Sequence, residues 1–155
     1  MSEFLIRQYK PSDKEEVFRL HIETMKAAGA YAETGNWDED FDDIEGIYIN
    51  NGGDFVVGIL DGVIVASGAL KKITEKVVEL KRMRVSIPLQ HHGYGRKILS
   101  YLEARAKILG YETIELDTLE KQTEARRFYE NNGYKEFKRE DRKEVGETIF
   151  YKKEI

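Results

Sequence analysis

Residues 77–110 read VVELKRMRVSIPLQHHGYGRKILSYLEARAKILG. Val77 to Ile87 is rich in β-branched and apolar residues, as a strand is, and Pro88, which has no N–H for a ladder, ends it. Gln90-His91-His92-Gly93-Tyr94-Gly95 follows as a turn with two glycines one residue apart. Behind it Ile98, Leu99, Leu102, Ala106 and Leu109 recur at helical spacing, and Gly110 is placed to stop the helix. A helix start leaves backbone N–H groups unpaired, and the macrodipole makes them attractive to anions. A glycine has no Cβ to keep a phosphate off the backbone. The stretch therefore predicts a strand, a turn and a helix whose junction cradles a pyrophosphate.

A plain turn and helix cap is the simpler reading of such a Gly-x-Gly, and two familiar phosphate sites fit it poorly. A P-loop ends in Gly-Lys-Ser/Thr, whereas Gly95 is followed by Arg96-Lys97-Ile98. The dinucleotide fingerprint needs a third Gly or Ala where Ile98 stands, and its first Gly at the strand end. Glu115 lies about 20 residues past Gly95, as a ribose-binding acid should. The segments upstream, however, read as antiparallel hairpins rather than a βαβ unit.

Working outward, 155 residues suffice for one domain with one core. The chain is 41% hydrophobic and 35% charged, which is ordinary globular composition. Twenty-five basic and 29 acidic residues leave a net charge of −4, which argues against general binding to nucleic acid or to a membrane surface. With no cysteine there is no disulfide, no thiolate zinc site and no cysteine nucleophile. His21, His91 and His92 do not form a metal set, so no metal is expected, and two adjacent histidines at a turn read as solvated. No apolar run of about 18 residues and no signal peptide is seen, so a cytoplasmic location is expected.

Along the chain, Phe4 to Lys10 reads as a strand and Pro11-Ser12-Asp13 as a stop followed by a helix start. Val17, Leu20, His21, Thr24 and Met25 trace one helix face that ends near Gly29, with His21 read as a boundary or surface residue. Asp38 to Ile49 reads as a second helix with Phe41, Ile44, Ile47 and Tyr48 at helical spacing. Seven acids fall between Glu33 and Glu45, among Tyr31, Trp37 and Phe41. They read as a solvated helix face, or more sharply as a pocket wall that draws in a cation. Asp54–Leu60 and Val63–Leu70 flank an Asp61-Gly62 hairpin turn. Thr113 to Leu119 is a strand made parallel to the one before by the helical crossover. Thr123 to Asn132 is a short helix stopped by Gly133, and Tyr134–Arg139 with Thr148–Lys153 closes as a hairpin. The expected order is β-α-α-β-β-β-α-β-α-β-β, an α+β domain.

That order and three motifs resemble the GNAT superfamily of acetyl-CoA-dependent N-acetyltransferases. Gln90-x-x-Gly93-x-Gly95 matches its Arg/Gln-x-x-Gly-x-Gly/Ala turn. Glu79 to Val85, with Pro88, looks like its fourth strand. Ala125-x-x-Phe128-Tyr129-Glu130-x-x-Gly133-Tyr134 looks like its A-x-x-x-Y-E-x-x-G-F helix. Gln122 stands where the family usually carries Asn, Tyr134 where it carries Phe, and His91-His92 makes the turn bulkier than usual. The resemblance covers the whole chain, 1–155, as a single N-acetyltransferase domain. It implies a mixed, mostly antiparallel central sheet flanked by helices on both faces.

The resemblance also implies roles. Acetyl-CoA is the cosubstrate. Its pyrophosphate meets the backbone of Gln90, His91, His92, Gly93, Tyr94, Gly95 and Arg96, with side-chain charge from Arg96 and Lys97. The backbone of Met83, Arg84 and Val85 pairs with the pantetheine amides, because the fourth strand splays from its neighbour, and Gln122 is a further contact. The side chains of Met83 and Val85 also read as core, while Arg82 and Arg84 alternate to the other face and read as solvated. Attack on a thioester requires a neutral amine, and an amine of pKa near 10.4 needs a base. Glu79 is the candidate base, placed by alternation on the face of Lys81, Met83 and Val85, with a cross-strand salt bridge as its competing role. The Val85 N–H is a donor for the oxyanion. Tyr129 is the acid for the departing thiolate, with packing under the sheet as its plainer role. Without cysteine, direct attack in a ternary complex is the simpler route. The acceptor is read as a small cationic amine, such as a polyamine or amino sugar, or else a peptide or protein amine. No nucleic-acid or membrane partner is expected, and a homodimer is an allowed assembly. A CoA-binding regulatory module without catalysis is the rival reading, and a nucleotide-binding structural domain a third.

Overall fold

The computed structural model describes residues 3–29 and 38–155. These residues form β1 (Phe4–Gln8), α1 (Lys14–Ala27), α2 (Ile44–Ile47), β2 (Asp54–Leu60), β3 (Val63–Lys72) and β4 (Val77–Val85). α3 (Tyr94–Ile108), β5 (Thr113–Leu119), α4 (Thr123–Asn131), β6 (Lys135–Arg142) and β7 (Gly146–Glu154) complete the order. One sheet runs β1-β2-β3-β4-β5-β7-β6. Its neighbours are antiparallel except β4 and β5, which the α3 crossover makes parallel. This is the expected α+β class and element order. No helix among the described residues is long and apolar enough to cross a membrane.

Two apolar layers follow from the patterning. On one face, Ile98, Leu99, Leu102 and Ala106 of α3 and Tyr129 of α4 pack with Val78, Leu80, Ile114 and Leu116. On the other, Val17 and Leu20 of α1 pack with Phe41, Ile44, Tyr48, Phe55 and Val57. The β2–β3 turn uses Asp61 at φ 52° and Gly62 at φ 78°, the left-handed pair that a two-residue hairpin requires.

Two irregularities of β4 shape what lies between these layers. The first is its short pairing with β5, which covers only Val77–Glu79 against Thr113–Glu115. β5 then stays with β7 over its whole length, from Thr113 to Leu119. Beyond Glu79 the two parallel strands part, as the resemblance implies. The second is a bulge. Ser67 pairs with Arg84 but Ala69 pairs with Lys81, so Arg82 and Met83 together face Gly68. Arg82 sits at φ 58°. The extra residue reverses the side-chain alternation, and Met83 and Val85 share the α3 face with Val78 and Leu80. Glu79 therefore lies with Lys81 and Arg84 on the α1 face, and the expectation that it shares a face with Met83 and Val85 is corrected.

Two boundaries also differ from expectation. β4 stops at Val85, because Ile87-Pro88-Leu89 winds into a 3-10 turn closed by Leu89 N–H to Ser86 C=O at 2.9 Å. The expected helix from Asp38 to Ile49 is broken into a 3-10 turn at Glu39–Asp42, the single turn α2 and a second 3-10 turn at Ile49–Asn51. Asp43 causes the break: it leaves helical geometry and its carboxylate accepts from Gly46 N–H at 3.1 Å, restarting the helix as an N-cap. Phe41, Ile44 and Tyr48 still reach the core. Tyr31, Glu33 and Trp37 lie outside the described residues.

α3 rests directly on the β3 backbone opposite the bulge. A Cβ on Gly68 would stand 2.7 Å from both Ile98 Cγ2 and Leu102 Cδ1 and 2.9 Å from Met83 Sδ. Gly68→Ala is therefore expected to lower stability by about 1–3 kcal/mol through overpacking. Urea unfolding checks this, and an unchanged midpoint would contradict the close seating of α3.

Candidate active site

Where β4 and β5 part, a cleft of about 1010 Å³ opens between the two helical layers. Glu79, Met83, Arg84, Val85, Gln90, His91, Gly93, Gly95, Arg96, Gln122 and Tyr129 all line it. The side chains of His92 and Tyr94 do not. His92 is exposed, and Tyr94 stacks on Phe4 with ring centroids 4.5 Å apart. Lys97 lies over the same two rings, 5.9 Å from Phe4 and 5.7 Å from Tyr94, away from the cleft.

At one end stands the start of α3. Gly93 is its cap at φ 86°, a conformation open to glycine, and His91 shares the left-handed region at φ 66°. Lys97 N–H to Gly93 C=O, at 3.2 Å, is an early rung of the helix ladder. The amides of Tyr94, Gly95 and Arg96 ahead of it have no carbonyl within the helix to reach. A Cβ on Gly95 would lie 3.6 Å from Val85 Cγ2 and 3.7 Å from Phe128 Cζ, in the gap between β4 and α4. Gln122 opens α4, and its side-chain oxygen accepts from the Thr118 hydroxyl at 3.3 Å.

Along the middle runs the free edge of β4. Ser86 N–H donates to Val65 C=O at 2.7 Å across the ladder, so the alternate residue Val85 turns its amide to the open side. Its carbonyl accepts from Gln90 Nε2 at 3.0 Å. The Met83 carbonyl accepts from a terminal nitrogen of Arg84 at 2.7 Å. Two side chains thus cover carbonyls of this edge.

Glu79 and Tyr129 line the same cleft. Glu79 makes no ion pair among the described residues, so the cross-strand salt bridge is not formed. Burial, with help from Asp117, raises its carboxyl pKa above the ordinary range, although Lys81 opposes this. Tyr129 is 9% exposed and packs edge-on against Phe128 and Tyr134. Burial pushes its phenol up to about 12, and the Arg84 charge opposes the rise. Its hydroxyl has no hydrogen-bond partner among the described residues.

The wall facing α1 carries what sequence reasoning missed. His21 is not a surface residue: it is 2% exposed, with Nε2 2.8 Å from Asp38 Oδ1 and Nδ1 3.3 Å from Arg84 Nε. A guanidinium only donates, so Nδ1 is the acceptor, and the ring's proton sits on Nε2 and is given to Asp38. Arg82 is not solvated either. It holds Asp40 through two nitrogens, one bond being 2.8 Å, and approaches Asp38 at 3.6 Å. Asp40 also accepts a hydrogen bond from the Tyr48 hydroxyl. Arg82 lies 4.9 Å over the Phe41 ring. Asp38 and Asp40 are therefore bound into pairs rather than free to attract a cation. The signal for His21 was present, since Val17, Leu20, His21 and Thr24 follow the buried stripe of α1.

Burial, and then Arg84 and Arg82, depress the His21 pKa to about 4 against an ordinary value near 6.5. The folded ring is neutral where the unfolded one is charged, so its contribution is complete above pH 6.5 and is lost as pH falls toward 4. Asp13 and Asp40 are also depressed, but they act at lower pH. Glu79, raised, gains stability as pH falls. Between pH 6.5 and 5 the unfolding free energy is expected to drop by about 2 kcal/mol on account of His21. His21→Gln should remove that slope in urea titrations at stepped pH. An equal slope in the variant would contradict a buried neutral ring.

Residues 15–134 match the model of the acetyltransferase (GNAT) family. A GNAT-family acetyltransferase from Staphylococcus aureus Mu50 is 28% identical, with 98% of this chain and 99% of that one superposed at a TM-score of 0.88. An acetyltransferase from Streptococcus agalactiae 2603 is 24% identical over 98% of each chain, also at 0.88. The PaiA N-acetyltransferase of Thermoplasma acidophilum, solved in complex with coenzyme A, shares the fold at 21% identity over 99% of each chain and a TM-score of 0.77. A comparison with curated proteins finds no match. The free β4 edge and the glycine-capped α3 thus stand within a family-wide framework: the chain belongs to the acetyltransferase (GNAT) family and is an acetyl-CoA-dependent N-acetyltransferase.

Proposed function

We propose that residues 1–155 work as one domain that moves the acetyl group of acetyl-CoA to a primary amine by direct attack in a ternary complex. The observation that carries this is the parting of β4 from β5 after Glu79. It leaves a strand edge open in the same cleft as the unpaired amides of α3 and the Tyr129 hydroxyl. The residues present fit the cosubstrate. The backbone of 90–96 and the Arg96 side chain would hold the pyrophosphate. Backbone groups of Met83, Arg84 and Val85 would meet the pantetheine amides, with Gln122 beside them at the start of α4. Acetyl-CoA supplies an acyl group already activated as a thioester.

Glu79 is the base. Its raised pKa suits proton uptake nearer neutrality, and it receives the amine's proton directly or through a water. The Val85 N–H faces the developing oxyanion. As the N–C bond forms and the C–S bond breaks, Tyr129 gives its proton to the sulfur. A phenol held near 12 keeps that proton at neutral pH. The chain has no cysteine, so no acyl-thiol enzyme is involved. The acceptor is a small cationic amine or a peptide or protein amine, whose ammonium would find Glu79 and Asp117 in the cleft.

Release of free CoA thiol across an amine panel tests this reading. No release above background, with acetyl-CoA still bound, would overturn it. Tyr129→Phe should lower kcat by about 100-fold or more at an unchanged dissociation constant for acetyl-CoA. An unchanged rate would remove Tyr129 from the chemistry. Glu79→Gln should lose most rate at the lower end of a pH 7–9 profile, where fewer amines are already neutral. A constant ratio to the parent across that range would assign Glu79 a structural role.

A further inference from the structure

We infer that the Arg84 side chain binds a carboxylate carried by the acceptor close to its amine. This narrows the acceptor and rests on the acetyltransferase reading. Two arginines follow the same bulge to the same face of the sheet, and they are treated differently. Arg82 is saturated by Asp40 and Asp38. Arg84 meets no carboxylate within 4 Å among the described residues. Its Nε is given to a neutral imidazole at 3.3 Å and one terminal nitrogen to the Met83 carbonyl at 2.7 Å. Its second terminal nitrogen makes no hydrogen bond among the described residues, where no buried side-chain nitrogen is left without a partner, so this nitrogen opens to the cleft.

A guanidinium fixed at two of its nitrogens keeps its planar fork in one orientation, which suits a carboxylate better than a diffuse anion. The cosubstrate does not supply that anion here. Its phosphates belong at the start of α3, and the pantetheine arm and thioester are uncharged. Arg84 and Tyr129, the proposed proton donor, line the same cleft, which puts the guanidinium beside the reacting end. An acceptor bound there would aim its carboxylate at Arg84. The carboxylate comes either from the α-carboxyl of a free amino acid or from an acidic first side chain of a peptide.

The test uses the full chain saturated with CoA and acetylated products as probes, so binding is read without turnover. Calorimetry compares N-acetylalanine with its primary amide for the first source. For the second, it compares N-acetylglutamyl with N-acetylglutaminyl dipeptide amides. At least one carboxylate probe should bind 10-fold or more tighter than its neutral twin, and the pair that does so identifies the source. Arg84→Gln should erase the ratio and Arg84→Lys restore part of it, both read at saturating CoA. Equal binding within both pairs by the parent protein overturns the inference, and this comparison stands even if a variant fails to fold. A ratio that survives in a folded Arg84→Gln also overturns it. In turnover, loss of kcat/KM for the carboxylate acceptor alone supports the contact, while equal loss for acid and amide acceptors overturns it and assigns Arg84 to the thioester. Failure of the transferase reading looks different: no thiol release with any amine, whatever the binding ratios.

Discussion

Arg82 adopts φ 58° inside a strand, and the rest of the site depends on its being held there. A residue with a side chain reaches that region at a cost of about 1–3 kcal/mol, so the surroundings must over-determine it. They do so from three sides. Asp40 takes the guanidinium through two nitrogens and is itself anchored by the Tyr48 hydroxyl. Phe41 lies under the cation. On the backbone, the Ser67 hydroxyl donates to the Arg82 carbonyl at 2.8 Å. The broken helical stretch 39–51 is thus a clamp on β4, and its irregularity has a purpose that a regular helix would not serve.

One extra residue in β4 then does two things. It turns Met83 and Val85 inward against the α3 layer while Arg84 turns to the α1 wall. It also comes three residues after Glu79, the last residue that pairs with β5. The edge left open is not bare. Gln90 covers the Val85 carbonyl and Arg84 covers the Met83 carbonyl, so a ligand lying along it meets N–H donors first. That asymmetry favours a partner presenting carbonyl oxygens, as amides do, over one presenting only donors.

Much of this was legible in residues 77–134, because three local signals agreed: a strand closed by Pro88, a glycine turn, and apolar spacing from Ile98 to Leu109. The hairpin at Asp61-Gly62 was equally plain, since only left-handed residues fit it. The bulge was not legible. It contains no glycine at the strained position, and what stabilises it is Asp40, 42 residues away in sequence. The face assigned to Glu79 failed for that reason, because a period of two carried through a bulge inverts everything beyond it, whereas Arg82 does lie opposite Met83 and Val85 and only its solvated reading failed. His21 failed differently. It sat within the buried stripe of α1, but a polar residue there is buried only if partners satisfy it, and both partners are distant in sequence.

Those partners explain why His21 is a histidine. The ring accepts from Arg84 on one nitrogen and donates to Asp38 from the other, which only a neutral imidazole can do. It stands between a cation and an anion that would otherwise close into a salt bridge. A protonated ring would lose the Arg84 bond and add a third positive charge beside Arg82, which is why its pKa is driven down. Replacing it with a carboxylate would compensate Arg84 outright and leave no fork for an incoming ligand. The imidazole is thus an insulating link: it bonds both neighbours while leaving the Arg84 charge without a carboxylate partner among the described residues.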